Sequence, residues 1–249
     1  MIRLLLSEEY WLRLKEIMLN FKIYDKPNLR KTVEGILYRM RTGVPWRDLP
    51  PYFGQWNSIY QQFNRWSKND KLMKFFKGLI QNPDLEWEFI DGSIVRAHQH
   101  STGASSDKPE AIGKSAGGNT TKIHLATDGF GLPLDFIITG GQMHDVKIAP
   151  QLISILPTSE YLIADRGYDS EALRNQITEN GVRPMCPRKR NSLTGNDDMD
   201  WDLYKYRHLV ENAFARLKHF RAIATRYDKL KRNYRSMVAL ACAFLWLPV

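Results

Sequence analysis

The stretch YLIADRGYDSEALR, residues 161–174, combines an apolar run, an acidic residue and the start of an amphipathic segment. Its pattern predicts a buried strand over residues 161–165, followed by a helix over residues 169–179. Asp165 comes directly after the last apolar residue of the run. An aspartate in that place is either a turn former or a functional carboxylate, and one such residue does not distinguish the two.

Two further carboxylates favour the interpretation of Asp165 as a functional residue. Asp91 ends the apolar run in EFIDGS, and Glu211 lies among basic residues in YKYRHLVENAFARLK. Three carboxylates that come together need a bound cation, and their hard oxygens suit Mg²⁺ or Mn²⁺ rather than zinc. Two such ions can activate a water molecule and stabilise the leaving oxygen when a phosphodiester is cleaved. The three residues therefore predict a two-metal site that acts on DNA or RNA.

The segment around Glu211 carries a second signal. Tyr204, Arg207, Glu211 and Lys218 follow the spacing Y-x2-R-x3-E-x6-K. Offsets of three, four and seven place all four on one face of a helix predicted over residues 201–220. Such a face suits a metal ligand flanked by phosphate contacts. The alternative is an ordinary solvated helix in which Arg207 and Glu211 form an i,i+4 ion pair.

The charge distribution favours a polyanionic partner. The 249 residues have a net charge of +9, divided into +5 for residues 1–88, −3 for residues 89–200 and +7 for residues 201–249. Basic ends around an acidic centre suggest that the ends contact nucleic acid while the centre holds metal. A basic protein that binds other anionic surfaces has the same charge. The length is enough for one domain of ordinary size and a smaller one.

The cysteines and the apolar runs bear on the compartment. Cys186 and Cys242 have no nearby cysteine partner, which excludes a disulfide framework and a zinc-knuckle spacing. The opening MIRLLLSEEYW is too short for a secretory signal, and the closing run MVALACAFLWLPV is too short to span a bilayer. We therefore expect a cytoplasmic protein without membrane contact, associated with the nucleoid when it is bound to DNA.

The first third of the chain predicts helices. They cover residues 7–21, the segment from Asn28 to Gly43, and residues 55–67. The third helix carries polar side chains on one face, and amide and guanidinium groups there can read base edges in a major groove. These candidate DNA contacts are Ser58, Gln61, Gln62 and Arg65. The alternative is a solvated polar face.

From about residue 85 the pattern alternates and predicts strands. They cover residues 87–91, 121–127 and 132–139, and the last two are joined by the hairpin signal DGFG. Residues 98–120 are rich in Ser, Gly and Lys and predict a loop. Later elements are a short strand over residues 182–185, a polar loop from Pro187 to Asp200, and helices over residues 201–220 and 234–246. In the polar loop we expect phosphate contacts from Arg188, Lys189 and Arg190.

At these residues the chain resembles a known family, the DDE transposases of bacterial insertion sequences, and within it the insertion-sequence-five group with the Y-R-E-K signature. The resemblance covers almost the whole length. Its motifs are GVPWRDLPPYFGQWNSIYQQFNRW, FIDGSIVRAHQHSTGA, TTKIHLATDGFGLPL, LIADRGYDSEALR and YRHLVENAFARLKHFRAIATRYDK. Together these stretches are highly specific.

The resemblance implies a mixed α+β or α/β chain with two domains. Residues 85–249 are expected to form a ribonuclease H-like catalytic domain, and residues 1–84 a small all-α, helix-turn-helix-like DNA-binding domain. It also implies that Asp91, Asp165 and Glu211 coordinate two Mg²⁺ ions, or Mn²⁺ in their place.

The same resemblance implies a substrate and a reaction. Such enzymes bind the terminal inverted repeats of an element in double-stranded DNA, cut there, and join the freed ends to target DNA. Because two ends are handled together, a homodimer on DNA is expected. Tyr204, Arg207 and Lys218 are expected to contact DNA near the cut, with Arg166 as a further basic contact.

Three alternatives stay open at this point. His98 and His100 form a His-x-His pair that, with carboxylates, would make a zinc hydrolase site, although no H-E-x-x-H spacing supports it. A DNA-binding regulator or a decayed transposase would need only the N-terminal helices. A simple nuclease would use the same three carboxylates without joining DNA.

Overall fold

The computed structural model describes residues 4–103, 110–190, 192 and 194–248. The chain divides into two compact units. One, the helical unit, contains residues 1–81, 98–110 and 217–249, and the other, the sheet unit, contains residues 82–97 and 111–216. In the part of the chain that the structure describes, no helix is both long enough and apolar enough to cross a membrane.

The helical unit begins with four helices: α1 (Glu8–Asn20), α2 (Leu29–Thr42), α3 (Trp56–Lys68) and α4 (Lys71–Leu79). Ser7 caps α1, because its Oγ accepts a hydrogen bond of 3.1 Å from the backbone N–H of Tyr10. Gly43 ends α2 in a left-handed conformation, with φ of +71°. The three helices predicted from the sequence are confirmed, whereas α4 was not predicted.

Among the residues described, the sheet unit has six strands and four α-helices. They are β1 (Trp87–Ala97), β2 (Gly113–Ser115), β3 (Gly118–Thr127), β4 (Pro133–Gly140), α5 (Asp145–Ile153), β5 (Tyr161–Ala164), α6 (Glu171–Glu179), β6 (Arg183–Met185), α7 (Trp201–Tyr204) and α8 (His208–Lys218). The strand order is β4-β3-β1-β5-β6, and β2 pairs with the start of β3. The β1–β3 and β3–β4 pairs are antiparallel, whereas β1–β5 and β5–β6 are parallel. This sheet of parallel and antiparallel strands, packed with helices, confirms the predicted mixed α+β class.

The remaining elements belong to the helical unit: α9 (Arg221–Ala224), β7 (Thr225–Arg226) and α10 (Lys231–Trp246). Helix α10 packs on α2, α3 and α4. It is apolar on nearly all sides because it lies in the core of this unit, as expected of a fully surrounded helix. The largest fully buried side chains of the helical unit include Phe63, Phe76, Tyr234 and Trp246.

One face of the sheet packs on α5 and α6. The apolar cluster there contains Ile90, Ala126, Ala149, Leu152, Leu162, Ala164, Tyr168, Leu173 and Ile177. Helix α5 contacts β1, β3 and β4, so it crosses behind the centre of the sheet. This packing fixes the strand ends, and the candidate site lies at those ends.

Two predicted strand boundaries were wrong. Strand β1 was expected to end at Asp91 but continues to Ala97, because Ser93, Val95 and Arg96 still pair with residues of β3. Residues 98–120 are not a single loop: β2 and the first residues of β3 lie in this range, after a short 3₁₀ turn over residues 99–101. The part of that range from residue 104 to residue 109 lies outside the described residues.

The predicted helix over residues 201–220 was also wrong in one respect. A 3₁₀ turn over Lys205–Arg207 separates α7 from α8. His208 Nδ1 lies 2.8 Å from the carbonyl oxygen of Lys205, so a side chain occupies an acceptor at the break. Helix α5 was not predicted.

The two compact units do not follow the expected division at residue 84. Residues 217–249, expected within a catalytic domain of residues 85–249, are grouped with the N-terminal helices. The division into two functional domains, residues 1–84 and 85–249, stays a prediction.

Candidate active site

Asp91 lies on β1, and Asp165 directly follows the neighbouring parallel strand β5. In the register of β1 and β5, Ile90 pairs with Ala164. Asp91 directly follows Ile90 in the sequence, and Asp165 directly follows Ala164. The side chain of Asp91 is 20% exposed. Burial raises the pKa of Asp91 to about 6, and the negative charge of Asp165 adds to this effect. The fold therefore brings together two of the three carboxylates predicted from the sequence.

Backbone amides fix one oxygen of each carboxylate. The N–H of Gly92 donates to Asp91 Oδ1 over 2.7 Å, and the N–H of Gly167 donates to Asp165 Oδ1 over 2.7 Å. Asp165 thereby begins the 3₁₀ turn over Arg166–Tyr168. Local hydrogen bonds therefore orient both side chains without a bound ligand.

Arg207 connects Asp91 to Glu211. Its Nη1 lies 3.5 Å from Asp91 Oδ2, and its Nη2 donates to Glu211 Oε1 one helical turn later. Tyr204 hydrogen-bonds Arg207 and lies close enough to Asp165 for that charge to help raise the pKa of its phenol, after burial as the main cause. Three of the four residues in the predicted Tyr-Arg-Glu-Lys pattern therefore form one connected group with the two aspartates.

Glu211 itself points to Arg207 and is half-exposed. Within the described ranges, no group of three or more His, Cys, Asp or Glu side chains is placed to hold a metal ion. The structure therefore brings Asp91 close to Asp165 but joins Glu211 to them through a guanidinium. The assignment of all three as metal ligands stays a prediction.

The residues around Asp91 and Asp165 fit a hydrated divalent cation. Two carboxylates provide hard oxygen ligands, and their mutual repulsion is relieved by a positive ion. The hydroxyl of Tyr168 is buried and has no hydrogen-bond partner among the described residues. Burial raises the pKa of Tyr168, and the nearby charges of Asp145, Asp91 and Asp165 raise it further. The phenol of Tyr168 therefore stays protonated beside these carboxylates. Its hydroxyl could donate a hydrogen bond to a water molecule bound to the ion.

The predicted DNA contacts of α3 lie in the helical unit. Ser58, Gln61 and Arg65 are exposed, whereas Gln62 is half-buried and accepts a hydrogen bond from Arg65. The face predicted to be polar is therefore accessible. Its role in reading bases stays a prediction.

The basic residues of the sheet unit differ in accessibility. Arg188 is mostly buried and forms ion pairs with Glu171 and Asp198, whereas Arg166, Lys189 and Arg190 are exposed. Lys189 Nζ also donates to the carbonyl oxygen of Asp169 over 3.1 Å. Of these residues, Arg188 is the one whose charge is already neutralised by carboxylates.

The remaining candidates fall in the helical unit. Lys218 is half-buried at the end of α8. His98 stacks on Tyr227 with ring centroids 4.4 Å apart, and it meets the edge of His100 at 4.7 Å. This aromatic stacking is sufficient to explain the position of the His98 side chain.

A charged group beside Asp91 was not predicted from the sequence. Asp145 is the first residue of α5 and is bound by Lys122 and His124. A recognisable signal was present, because an aspartate after His144 opens an amphipathic run with Ala149, Leu152 and Ile153 on one face. Since α5 was not predicted, Asp145 was not considered.

Two family models match this chain. A family model described as the transposase DDE domain matches residues 89–246, and a second, described as a putative transposase of the IS4/5 family, matches residues 6–76. The chain is 38% identical to a putative transposase for insertion sequence element IS6501 from Brucella ovis over 128 residues, which is 51% of this chain and 98% of that protein.

A second relative is a putative transposase for insertion sequence element IS402 from Burkholderia cepacia. It is 31% identical over 136 residues, 50% of this chain, and the match spans 62% of that protein, which is less than two thirds of its length. Among solved structures, a piggyBac transposase synaptic complex with hairpin DNA has a TM-score of 0.38 and 11% identity, covering 75% of this chain and 49% of that chain. A likeness this weak carries no argument about function. The two family models and the insertion-sequence relatives place the chain in the DDE transposase family, among the transposases of bacterial insertion sequences.

Proposed function

We propose that this transposase binds the terminal inverted repeats of its insertion sequence, hydrolyses a phosphodiester at each end and joins the freed 3′-hydroxyl to target DNA. Because the chain belongs to the DDE transposases, its partner is DNA and its activity depends in general on divalent metal ions. The observation that carries the residue assignment is the adjacent position of Asp91 and Asp165 after the Ile90–Ala164 pair. Asp91, Asp165 and Glu211 are the proposed catalytic carboxylates.

The proposed cofactor is a pair of Mg²⁺ ions, which Mn²⁺ can replace. These ions would supply Lewis-acid stabilisation of the attacking and leaving oxygens of an in-line displacement. Asp91 and Asp165 would hold them together with Glu211. The backbone amides of Gly92 and Gly167 would keep the two aspartates oriented as they are now.

Arg207, Tyr204 and Lys218 have a separate proposed role. A guanidinium matches a phosphate with two parallel hydrogen bonds, and an ammonium group acts as a point charge. Arg207 already lies against Asp91, so a phosphate bound by it would be next to the proposed catalytic carboxylates. Tyr204 would orient the guanidinium through their hydrogen bond.

End recognition is assigned to residues 1–84. The exposed side chains of Ser58, Gln61 and Arg65, with Gln62 between them in sequence, are the proposed readers of base edges. Arg166, Arg188, Lys189 and Arg190 are proposed as further phosphate contacts. Because two transposon ends react together, we propose a homodimer assembled on DNA and located at the nucleoid.

Joining of DNA ends tests this function. Purified protein is incubated with labelled DNA that carries the element's ends and with a supercoiled target, in the presence of Mg²⁺ or EDTA. The proposal expects label in the target only with Mg²⁺, and no joined product from Glu211→Gln. Cleavage without joining would instead indicate a nuclease, and binding without cleavage a regulatory or decayed protein.

A further inference from the structure

A buried charged cluster lies behind the strand that carries Asp91. It consists of Asp145, Lys122 and His124, and we call it the Asp145 cluster. Lys122 Nζ donates to Asp145 Oδ2 over 2.9 Å, and His124 Nδ1 lies 3.0 Å from Asp145 Oδ1. Lys122 and His124 are only 9% and 1% exposed. Lys122 thus hydrogen-bonds one carboxylate oxygen of Asp145, and the imidazole of His124 lies within ion-pair distance of the other.

The Asp145 cluster presses against Gly92. A Cβ atom built on Gly92 would lie 1.9 Å from Asp145 Oδ1, a distance that no side chain tolerates. Gly92 is therefore required by the close approach of a carboxylate. In the sheet, His124 is the residue of β3 directly opposite Gly92.

The geometry of a strand relates this contact to Asp91. Successive side chains of a strand leave opposite faces, so the side chain of Asp91 points away from the face on which Asp145 meets Gly92. The Asp91–Gly92 peptide thus has the Asp145 cluster on one side and the Asp91 carboxylate on the other. The N–H of Gly92 is also the group that donates to Asp91 Oδ1.

Stability alone does not explain the cluster. A buried ion pair has a desolvation cost that often cancels its attraction, and well-packed apolar residues of similar volume are frequently as stable. Asp145 gains something from the N-terminus of α5, where a negative charge is favourable. Neither effect requires contact with the residue that follows Asp91.

We propose that Asp145 is a positioning residue: held by Lys122 and His124, it fixes the Gly92 peptide and so sets the orientation of the Asp91 carboxylate for a divalent cation. This inference rests on the proposed function only in taking Asp91 as a metal ligand. Partners behind a first ligand commonly change metal affinity by roughly 10–100-fold when they are removed.

Binding of Mn²⁺ to the full chain without DNA tests the inference. We expect Asp145→Asn to weaken Mn²⁺ binding at least about tenfold, measured by calorimetric titration or by the electron paramagnetic resonance signal of free Mn²⁺. The matched control is Asp128→Asn, because Asp128 is another carboxylate of the sheet unit, fully buried and held by the backbone N–H groups of Phe130 and Leu132. The control should bind Mn²⁺ as the wild type does.

A pair of substitutions at His124 keeps the test valid if Asp145→Asn does not fold. His124→Asn keeps a polar side chain that can donate an N–H near the place of Nδ1, whereas His124→Leu removes the polar group. We expect His124→Asn to keep most of the Mn²⁺ affinity and His124→Leu to lose it. A purely structural role would change both in proportion to their thermal stability.

Asp91→Asn separates failure of this inference from failure of the proposed function. If Asp91→Asn loses Mn²⁺ while folded Asp145→Asn and His124→Leu bind it as the wild type does, Asp145 is not a positioning residue. If Asp91→Asn itself keeps the wild-type affinity, the assignment of Asp91 as a metal ligand is wrong.

Discussion

Arg207 Nη1 lies 3.5 Å from Asp91 Oδ2, and the same guanidinium binds Glu211. One cation is thus shared by a carboxylate of β1 and a carboxylate of α8. Burial raises the pKa of Asp91, and Arg207 opposes that rise. Arg207 therefore helps keep Asp91 ionised, which is the form that binds a metal ion.

Removing this guanidinium should change the pH dependence of DNA cleavage. Without Arg207 the pKa of Asp91 rises above its present value of about 6, so a smaller fraction is ionised at any acidic pH. We expect Arg207→Ala to lower the cleavage rate at least about tenfold and to move the acidic limb of the rate profile to higher pH. Arg207→Lys should restore part of the acidic limb of the rate profile, because lysine is also positively charged. It should not restore the cleavage rate, because lysine lacks the planar, forked guanidinium of arginine.

The control for this measurement is Arg216→Ala. Arg216 is an exposed arginine of α8, the helix that directly follows Arg207. It should leave both the rate and the limb as they are. An unchanged limb in Arg207→Ala would show that Arg207 does not act on Asp91.

Isosteric substitutions of the carboxylates should separate cleavage from binding. Asp165→Asn and Glu211→Gln each remove one proposed ligand with no change of shape, so cleavage should be lost while affinity for end DNA stays close to the wild type. Gel shift and cleavage assays on the same preparations measure the two effects. Glu179→Gln, an exposed residue of α6, is the control, and loss of binding together with cleavage would refute the assignment.

The exposed face of α3 should determine specificity. Replacing Gln61, Gln62 and Arg65 together by alanine should reduce the preference for end DNA over an unrelated duplex, because each lost bidentate base contact is worth about 1–3 kcal/mol. Affinity for the unrelated duplex should fall only slightly and should still decrease steeply with salt. Competition binding at two salt concentrations measures this, and an unchanged preference would exclude α3 as the reader.

Glu88 should make the stability of the chain depend on pH. Burial raises the pKa of Glu88 from 4.5 to about 7, against a hydrogen bond from Ser159 that lowers it. Because the folded state holds this proton more tightly than the unfolded chain, the free energy of unfolding decreases as pH rises from about 4.5 through about 7.

Glu88→Gln keeps an acceptor for Ser159 and cannot ionise. It should stabilise the chain by roughly 2–3 kcal/mol at pH 8 and have little effect at pH 4.5. Urea unfolding at both pH values measures the difference, with exposed Glu160→Gln as the control. An equal effect of Glu88→Gln at both pH values would contradict the buried, protonated state.

Local patterns were sufficient to predict many elements correctly. The start of α1 at Ser7, the end of α2 at Gly43 and the hairpin between β3 and β4 all depend on capping and turn residues that act over a few positions. Asp91 and Asp165 were recognised because each follows an apolar run. These features need no knowledge of distant contacts.

The features that were missed depend on tertiary contacts. Asp91 followed by Gly92 resembles a turn, yet Gly92 is there because Asp145 approaches it from another part of the chain. The break before α8 is an exception, because it involves a local contact between His208 and the carbonyl oxygen of Lys205. By contrast, the ion pair between Arg207 and Asp91 joins residues 116 positions apart, a distance over which no periodicity in the sequence carries information.

Crystallography with Mn²⁺ shows directly whether the three carboxylates hold metal ions. The full chain is crystallised with DNA carrying a transposon end, and anomalous scattering locates the ions. We expect Mn²⁺ within coordination distance of carboxylate oxygens of Asp91, Asp165 and Glu211. Mn²⁺ bound elsewhere, with Glu211 still paired to Arg207 and none of the three carboxylates in contact with an ion, would contradict it.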